Sequence, residues 1–247
     1  TATKAATSIS PSSKFILILA LDVGKEIVDQ YTQISDALCS RYRLIYAFDT
    51  PEALAKLACF PLIQSVIVAD QGLAKPASSN VLSRVVEYTR SGGTVVAGCL
   101  FPAMATPTSF NAFFRAFGLP WKKGTYGRWD LSPNTTHPVL SNSTDMGPCN
   151  MRAVFADSVE PADVVYRASK PASLHDSTLT PDPMGPTETP VAFAPVGSGY
   201  LGYVGDVTLE LVTPRIVLAM CSTLNPNAQA ILSAARKAGT SPADIRS

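Results

Sequence analysis

Phe15 to Leu21 is an unbroken apolar run, Phe-Ile-Leu-Ile-Leu-Ala-Leu. It is far too short to span a bilayer. With no polar residue to face water on either side, it reads as a strand covered on both faces, as in a parallel sheet. The residues after it keep the same rhythm. Asp22-Val23-Gly24 turns the chain, and Ile27, Tyr31, Ile34 and Leu38 recur at helical spacing to about Cys39. Arg43 to Phe48 reads as a second strand ending at Asp49, and Thr50-Pro51-Glu52 opens a short helix. Ser65 to Ala69 is a third strand ending at Asp70-Gln71-Gly72, and Ser79 to Arg90 is a longer helix. Strand and helix in alternation imply right-handed crossovers and an α/β fold.

The next unit is the most pointed one chemically. Gly92-Gly93 ends the helix, Thr94 to Ala97 forms a strand, and Gly98-Cys99 turns out of the sheet before Phe101-Pro102. Ligands and reactive side chains gather at the carboxyl ends of such strands. The second half is less regular. Ser109 to Gly118 is a phenylalanine-rich helix, and Thr125 to Leu131 alternates like an edge strand. Residues 132–152 read as turns, with short strands at Ala153 to Phe155 and Val164 to Tyr166. Residues 169–189 read as a long loop. Pro190 to Pro195 and Tyr200 to Val204 form a hairpin across Gly197-Ser198-Gly199, placed as a decoration on the carboxyl edge. Leu209 to Cys221 and Asn225 to Ala238 read as closing helices. Residues 1–13 read as a disordered lead-in, and 14–240 as one domain with a mainly parallel sheet of five or six strands.

Composition narrows the partners. The formal net charge is +1 with 46% hydrophobic residues, and no basic tract longer than a pair occurs. Nucleic acid and membrane are therefore not expected. The 5 cysteines are odd in number, widely spaced and without a Cys-x-x-Cys pair, which argues against a disulfide framework and a zinc site. With no apolar leader in residues 1–13, a cytoplasmic protein with reduced thiols is the expectation. The sequons at Asn134 and Asn142 carry no weight without secretion.

Four stretches, in this order, resemble the class I glutamine amidotransferase-like superfamily, a flavodoxin-like fold, in its trehalose-utilisation (ThuA-like) branch. They are Gly92-Gly93-Thr94-Val95-Val96-Ala97-Gly98, Thr136-His137-Pro138-Val139, Pro190-Val191-Ala192-Phe193 with Gly197-Ser198-Gly199, and Tyr203-Val204-Gly205-Asp206. The resemblance spans residues 14–222. It does not reach the catalytic pattern. The family's amidotransferases pair an elbow cysteine with a His-x-Glu, but the only histidines here are His137 and His175, and neither is followed by Glu two residues on. Phe101 also stands where the elbow wants a small side chain. Glutaminase activity is not expected.

The site reading follows from the strand ends. Cys99 is the candidate nucleophile, provided its pKa is lowered; the alternative is a buried structural thiol. Asp22, Asp70, Gln71, Gly98 and Asp206 are candidate ligand-binding groups. Converging carboxylates could hold Mg²⁺ or act as a base, although no metal or cofactor is expected; the alternative is that they cap helices and turns. For Asp49 the capping role is preferred. His137 reads as architectural. The aromatic-basic cluster Trp121, Tyr126, Arg128 and Trp129 reads as packing of an added strand, or as a surface for a planar ligand. Three functions stay open: a domain binding a small polar metabolite, a Cys99-dependent hydrolase or lyase, and an interaction or homo-oligomerisation module using segment 110–129.

Overall fold

The structure, a computed structural model, describes residues 14–141, 146–171 and 185–223. The lead-in 1–13, His175, Asn142 and the closing helix at 225–238 lie outside these residues.

The first half alternates as the hydrophobic runs require. It comprises β1 (Phe15–Leu19), α1 (Glu26–Gln30), α2 (Thr32–Cys39), β2 (Arg43–Ala47), α3 (Thr50–Leu57), β3 (Ile63–Val68), α4 (Ser79–Arg90) and β4 (Thr94–Ala97). Next come α5 (Phe101–Met104), α6 (Pro107–Ala116), β5 (Lys122–Pro133), β6 (Cys149–Asp157), β7 (Val164–Pro171), β8 (Val191–Val196), β9 (Gly199–Val204) and α7 (Thr213–Cys221). Local chemistry fixes several starts. Asp49 accepts the Glu52 amide at 2.8 Å while Glu52 reaches back to the Phe48 amide at 2.9 Å, a reciprocal cap on α3. Thr106 caps α6 with Pro107 in its first turn, so that helix begins two residues before Ser109.

All nine strands form one sheet in the order β2-β1-β3-β4-β9-β8-β7-β5-β6. The expectation of a mainly parallel sheet of five or six strands is corrected. β2, β1, β3, β4 and β9 are parallel, but β8, β7, β5 and β6 add an antiparallel half. The reason is connection length. The Gly197-Ser198 link between β8 and β9 is a hairpin turn, which can join only antiparallel neighbours. The hairpin is thus no edge decoration, since β9 lies against β4 in the middle of the sheet.

Residues 132–152 are likewise not all turns. β5 runs to Pro133, and β6 begins at Cys149. β6 is overlaid rather than left as an open edge. The Val154 amide donates to Gly205 at 2.9 Å, the Val207 amide donates to Arg152 at 3.0 Å, and Ala156 and Thr189 exchange both backbone bonds at 2.9 Å. The antiparallel half thereby curls back onto the segments flanking β8 and β9. Residues 185–189, read as part of a loop, are pinned here by Glu188, whose carboxylate accepts from the Thr125 amide at 2.9 Å, the Thr125 hydroxyl and the Gly185 amide.

Alternate residues of each central strand serve opposite cores. Leu17, Leu19, Val66, Val68, Val95 and Ala97 pack with α3, α4 and the α6 phenylalanines; Ile16, Ile18, Ile67 and Val96 pack on the α1, α2 and α7 side. Phe101, Phe110, Phe113, Phe114, Phe117 and Trp121 are all at most 3% exposed. The phenylalanines and tryptophans of segment 110–129 are therefore core, and Tyr126 is its one exposed ring.

Candidate functional site

The five parallel strands have the order 2-1-3-4-9, which places a topological switch between β1 and β3: the chain leaves β1 toward one neighbour and returns on the other side. Ligands in open α/β sheets sit at such points, outside the carboxyl ends. Two candidate groups stand there, and the structure separates their roles.

Asp70, next after β3 but for Ala69, is 1% exposed. One carboxylate oxygen accepts the amides of Asp22 and Val23, each at 2.8 Å, and the other accepts the Gly72 amide at 2.8 Å. Three backbone donors thus converge on one buried side chain, tying the turn after β1 to the turn after β3. Gly72 completes the joint, because a Cβ there would stand 2.6 Å from the Leu21 carbonyl carbon. Asp22 stays at the surface. Its carboxylate accepts from Lys75 Nζ and from Gln71 Nε2 at 2.9 Å. Lys75, and after it Gln71, hold the Asp22 carboxyl below the usual carboxylate range. Asp22, Gln71 and Lys75 form a cluster whose polar atoms still reach solvent. Lys75 was not legible in the sequence, since it lies 53 residues from Asp22 in a segment without periodicity.

Asp206, at the end of β9, is 4% exposed and fully engaged. It accepts the amides of Thr208 at 2.9 Å and Glu210 at 2.6 Å, and the hydroxyls of Thr208 and Thr213. It shapes the turn that leads into α7, which starts at Thr213 rather than at Leu209. Gly98 is buried, and its amide donates to Val68 at 3.1 Å.

Cys99 takes a left-handed backbone, φ 56°, an uncommon conformation for a residue with a Cβ. The turn has the shape of a nucleophile elbow but lacks its equipment. In an elbow, the amide after the nucleophile lines the oxyanion hole; here the Leu100 amide donates to Ala69 at 2.9 Å. The side chain lines an apolar cavity of about 10 Å³ with Ile18, Ile27, Tyr31, Ile34, Ser35, Tyr46, Ile67 and Ala69. That is room for about one water. Burial, then the neighbouring Cys221 and Asp70, push the Cys99 thiol up to about 12. A nucleophilic thiol is shifted the other way.

His137 is 5% exposed. Its Nδ1 accepts the Val139 amide at 3.2 Å, so Nε2 carries the proton toward the Phe193 carbonyl at 3.3 Å. Burial holds its pKa below the usual value. Nδ1 closes the turn of Thr136-His137-Pro138-Val139 on itself, and Nε2 joins that segment to β8. Asn134 donates its amide nitrogen to the Val164 carbonyl at 2.8 Å, inside the fold. Trp121 and Trp129 are buried, whereas Tyr126 and Arg128 point outward. All five cysteines are free. Among the described residues, no group of three His, Cys, Asp or Glu side chains is arranged to hold a metal ion, and no helix is long and apolar enough to cross a membrane.

Comparison with known proteins agrees with this architecture. A candidate ThuA-like protein from Bacteroides uniformis superimposes with a TM-score of 0.59 at 13% identity, over 91% of this chain and 98% of that one. A cytoplasmic protein from Salmonella typhimurium matches 86% of this chain and 99% of its own at TM-score 0.51 and 8% identity. A β-galactosidase from Bacillus circulans matches 93% of this chain with 32% of its own, at TM-score 0.54 and 13% identity. No protein-family profile matches the chain, and no curated protein matches it. The chain has an α/β fold built on one mixed sheet. That fold is similar to the one of the ThuA-like protein.

Proposed function

We propose that this chain is a ThuA-like domain that binds a small polar metabolite at the carboxyl ends of its parallel strands and does not hydrolyse glutamine. The observation that carries the reading is the Asp22-Gln71-Lys75 cluster at the β1/β3 switch point. It offers a carboxylate, a carboxamide and an ammonium side by side at the surface, the mixed donor and acceptor set that a hydroxylated or zwitterionic metabolite pairs with. Asp70 holds this cluster in place from beneath. The five free thiols support residence in a reducing, cytoplasmic compartment.

The test is a thermal-shift screen of polar metabolites against the native chain and the Asp22→Asn and Lys75→Met variants. A hit whose stabilising shift disappears in both variants supports the reading. A panel without hits, or a hit indifferent to both substitutions, overturns it. The second reading, a Cys99-dependent hydrolase or lyase, has one observation in its favour, the left-handed backbone at Cys99. It requires that the thiol ionise near neutral pH.

A further inference from the structure

The aromatic-basic cluster is divided by the sheet. Trp129 turns inward, while Tyr126 and Arg128 share the outer face of β5. β6 adds a third member that the sequence did not connect with them. Arg152 is the direct cross-strand partner of Arg128, and Tyr126 lies two pairs further along, on the same face of β5. Like charges set directly opposite each other weaken a strand pair, so this juxtaposition works against the fold.

Its surroundings neutralise it only in part. Arg128 uses Nη1 alone, donating to Asn150 at 2.7 Å and Glu210 at 3.1 Å. Its Nε and Nη2 have no acceptor among the described residues. The Arg152 guanidinium has none either; it lies over one face of the Tyr126 ring, 5.8 Å from its centre. The ring itself is 54% exposed. Asn150 is in turn held by Asp130 at 2.8 Å, which fixes the Arg128 head from behind. Two guanidinium groups on one sheet face, beside a half-exposed ring of which Arg152 covers one face, suit one planar or tetrahedral anion whose flat ring takes the other face.

We propose that Arg128, Arg152 and Tyr126 form a recognition site for a phosphate monoester attached to a planar ring. The two forks take the phosphoryl oxygens, and Tyr126 stacks on the ring. This site lies on the outer face of the antiparallel half and is independent of the metabolite reading at the β1/β3 switch.

Titration calorimetry of the full chain with phenyl phosphate and with inorganic phosphate tests it. Phenyl phosphate is expected to bind saturably, and Arg128→Gln and Arg152→Gln each to weaken it by about 10-fold or more, the loss of a charge-assisted hydrogen bond. Tyr126→Leu is expected to weaken phenyl phosphate while leaving inorganic phosphate unchanged. Arg167→Gln, an exposed cation on β7, is expected to change neither. The substituted side chains are at the surface, so circular dichroism should report native folds. Absence of saturable phenyl phosphate binding, binding unmoved by Arg152→Gln, or an equal loss in Arg167→Gln would each overturn the proposal, the last by reducing it to diffuse surface charge.

Discussion

Asp70→Asn separates a structural carboxylate from a ligand-binding one. In the folded chain the two oxygens of Asp70 receive three backbone N–H groups, each at 2.8 Å, with 1% of the residue exposed. Asparagine keeps one acceptor and turns the other into a donor aimed at a donor. Either the Gly72 amide or the pair from Asp22 and Val23 then loses its partner. An orphaned buried donor costs roughly 1–3 kcal/mol, and the surviving bonds lose their charge assistance. The sum is about 2–4 kcal/mol, and about 3–5 kcal/mol for Asp70→Ala, near the upper end for single substitutions. For a chain of this size that corresponds to a Tm lowered by roughly 5–15 °C. Urea denaturation read by tryptophan fluorescence measures it, with Asp22→Asn as the comparison: its partners Lys75 and Gln71 are solvated, so a loss below about 1 kcal/mol is expected. If Asp70→Asn left stability unchanged or raised it, the geometric argument would fail. Groups held ready for a ligand often cost the fold stability, and Asp70 would then belong with them.

Three further outcomes follow from the shifted titrating groups. With its thiol raised to about 12, Cys99 should resist iodoacetamide in the native protein while the exposed Cys39 and Cys59 react; peptide mass spectrometry showing selective Cys99 alkylation below the free-thiol value of about 8.5 would revive the nucleophile. His137 is depressed in the fold, so the unfolded chain takes up its proton first, and stability should decline as pH falls through about 6.5. Asp163, raised to about 6 mainly by burial and then by Glu160, has the opposite sign: its contribution is present at low pH and is lost as pH rises through about 6. Stability against pH should therefore lose its slope near 6.5 in His137→Gln and rise at neutral pH in Asp163→Asn.

The parts legible in the sequence are those that local chemistry decides. Apolar runs such as Phe15 to Leu21 announced the central strands because both faces are covered there. The Asp49 cap was readable because its partner is three residues away. The antiparallel half was harder. β6 places Met151, Ala153 and Phe155 inward, but Val154 and Ala156 are buried as well, since Gly205 and Thr189 cross over that strand. Coverage from distant segments erased the alternation that would have marked it. The site was half legible for the same reason. Asp22 and Asp70 were found from their place after strands, yet their different fates depend on contacts about 50 residues away.

The motifs that carried the family likeness bear on this division. Gly199 is a glycine because a Cβ would overlap the Gly93 and Thr89 carbonyl oxygens, and Gly205 because one would overlap the Val154 carbonyl oxygen. Gly197 adds a φ of +61° at the hairpin turn. His137 spends both nitrogens on backbone groups. Each of these residues closes a crossing between chain segments and presents no free polar atom to a ligand. They are therefore signatures of the fold. A protein can keep all of them after losing a nucleophile, a base and an oxyanion hole, because the crossings must still close. The chemistry of this chain has to be sought in groups the motifs do not contain: the solvated Lys75 beside Asp22, and the Arg128–Arg152 pair that the sheet holds against its own electrostatic preference.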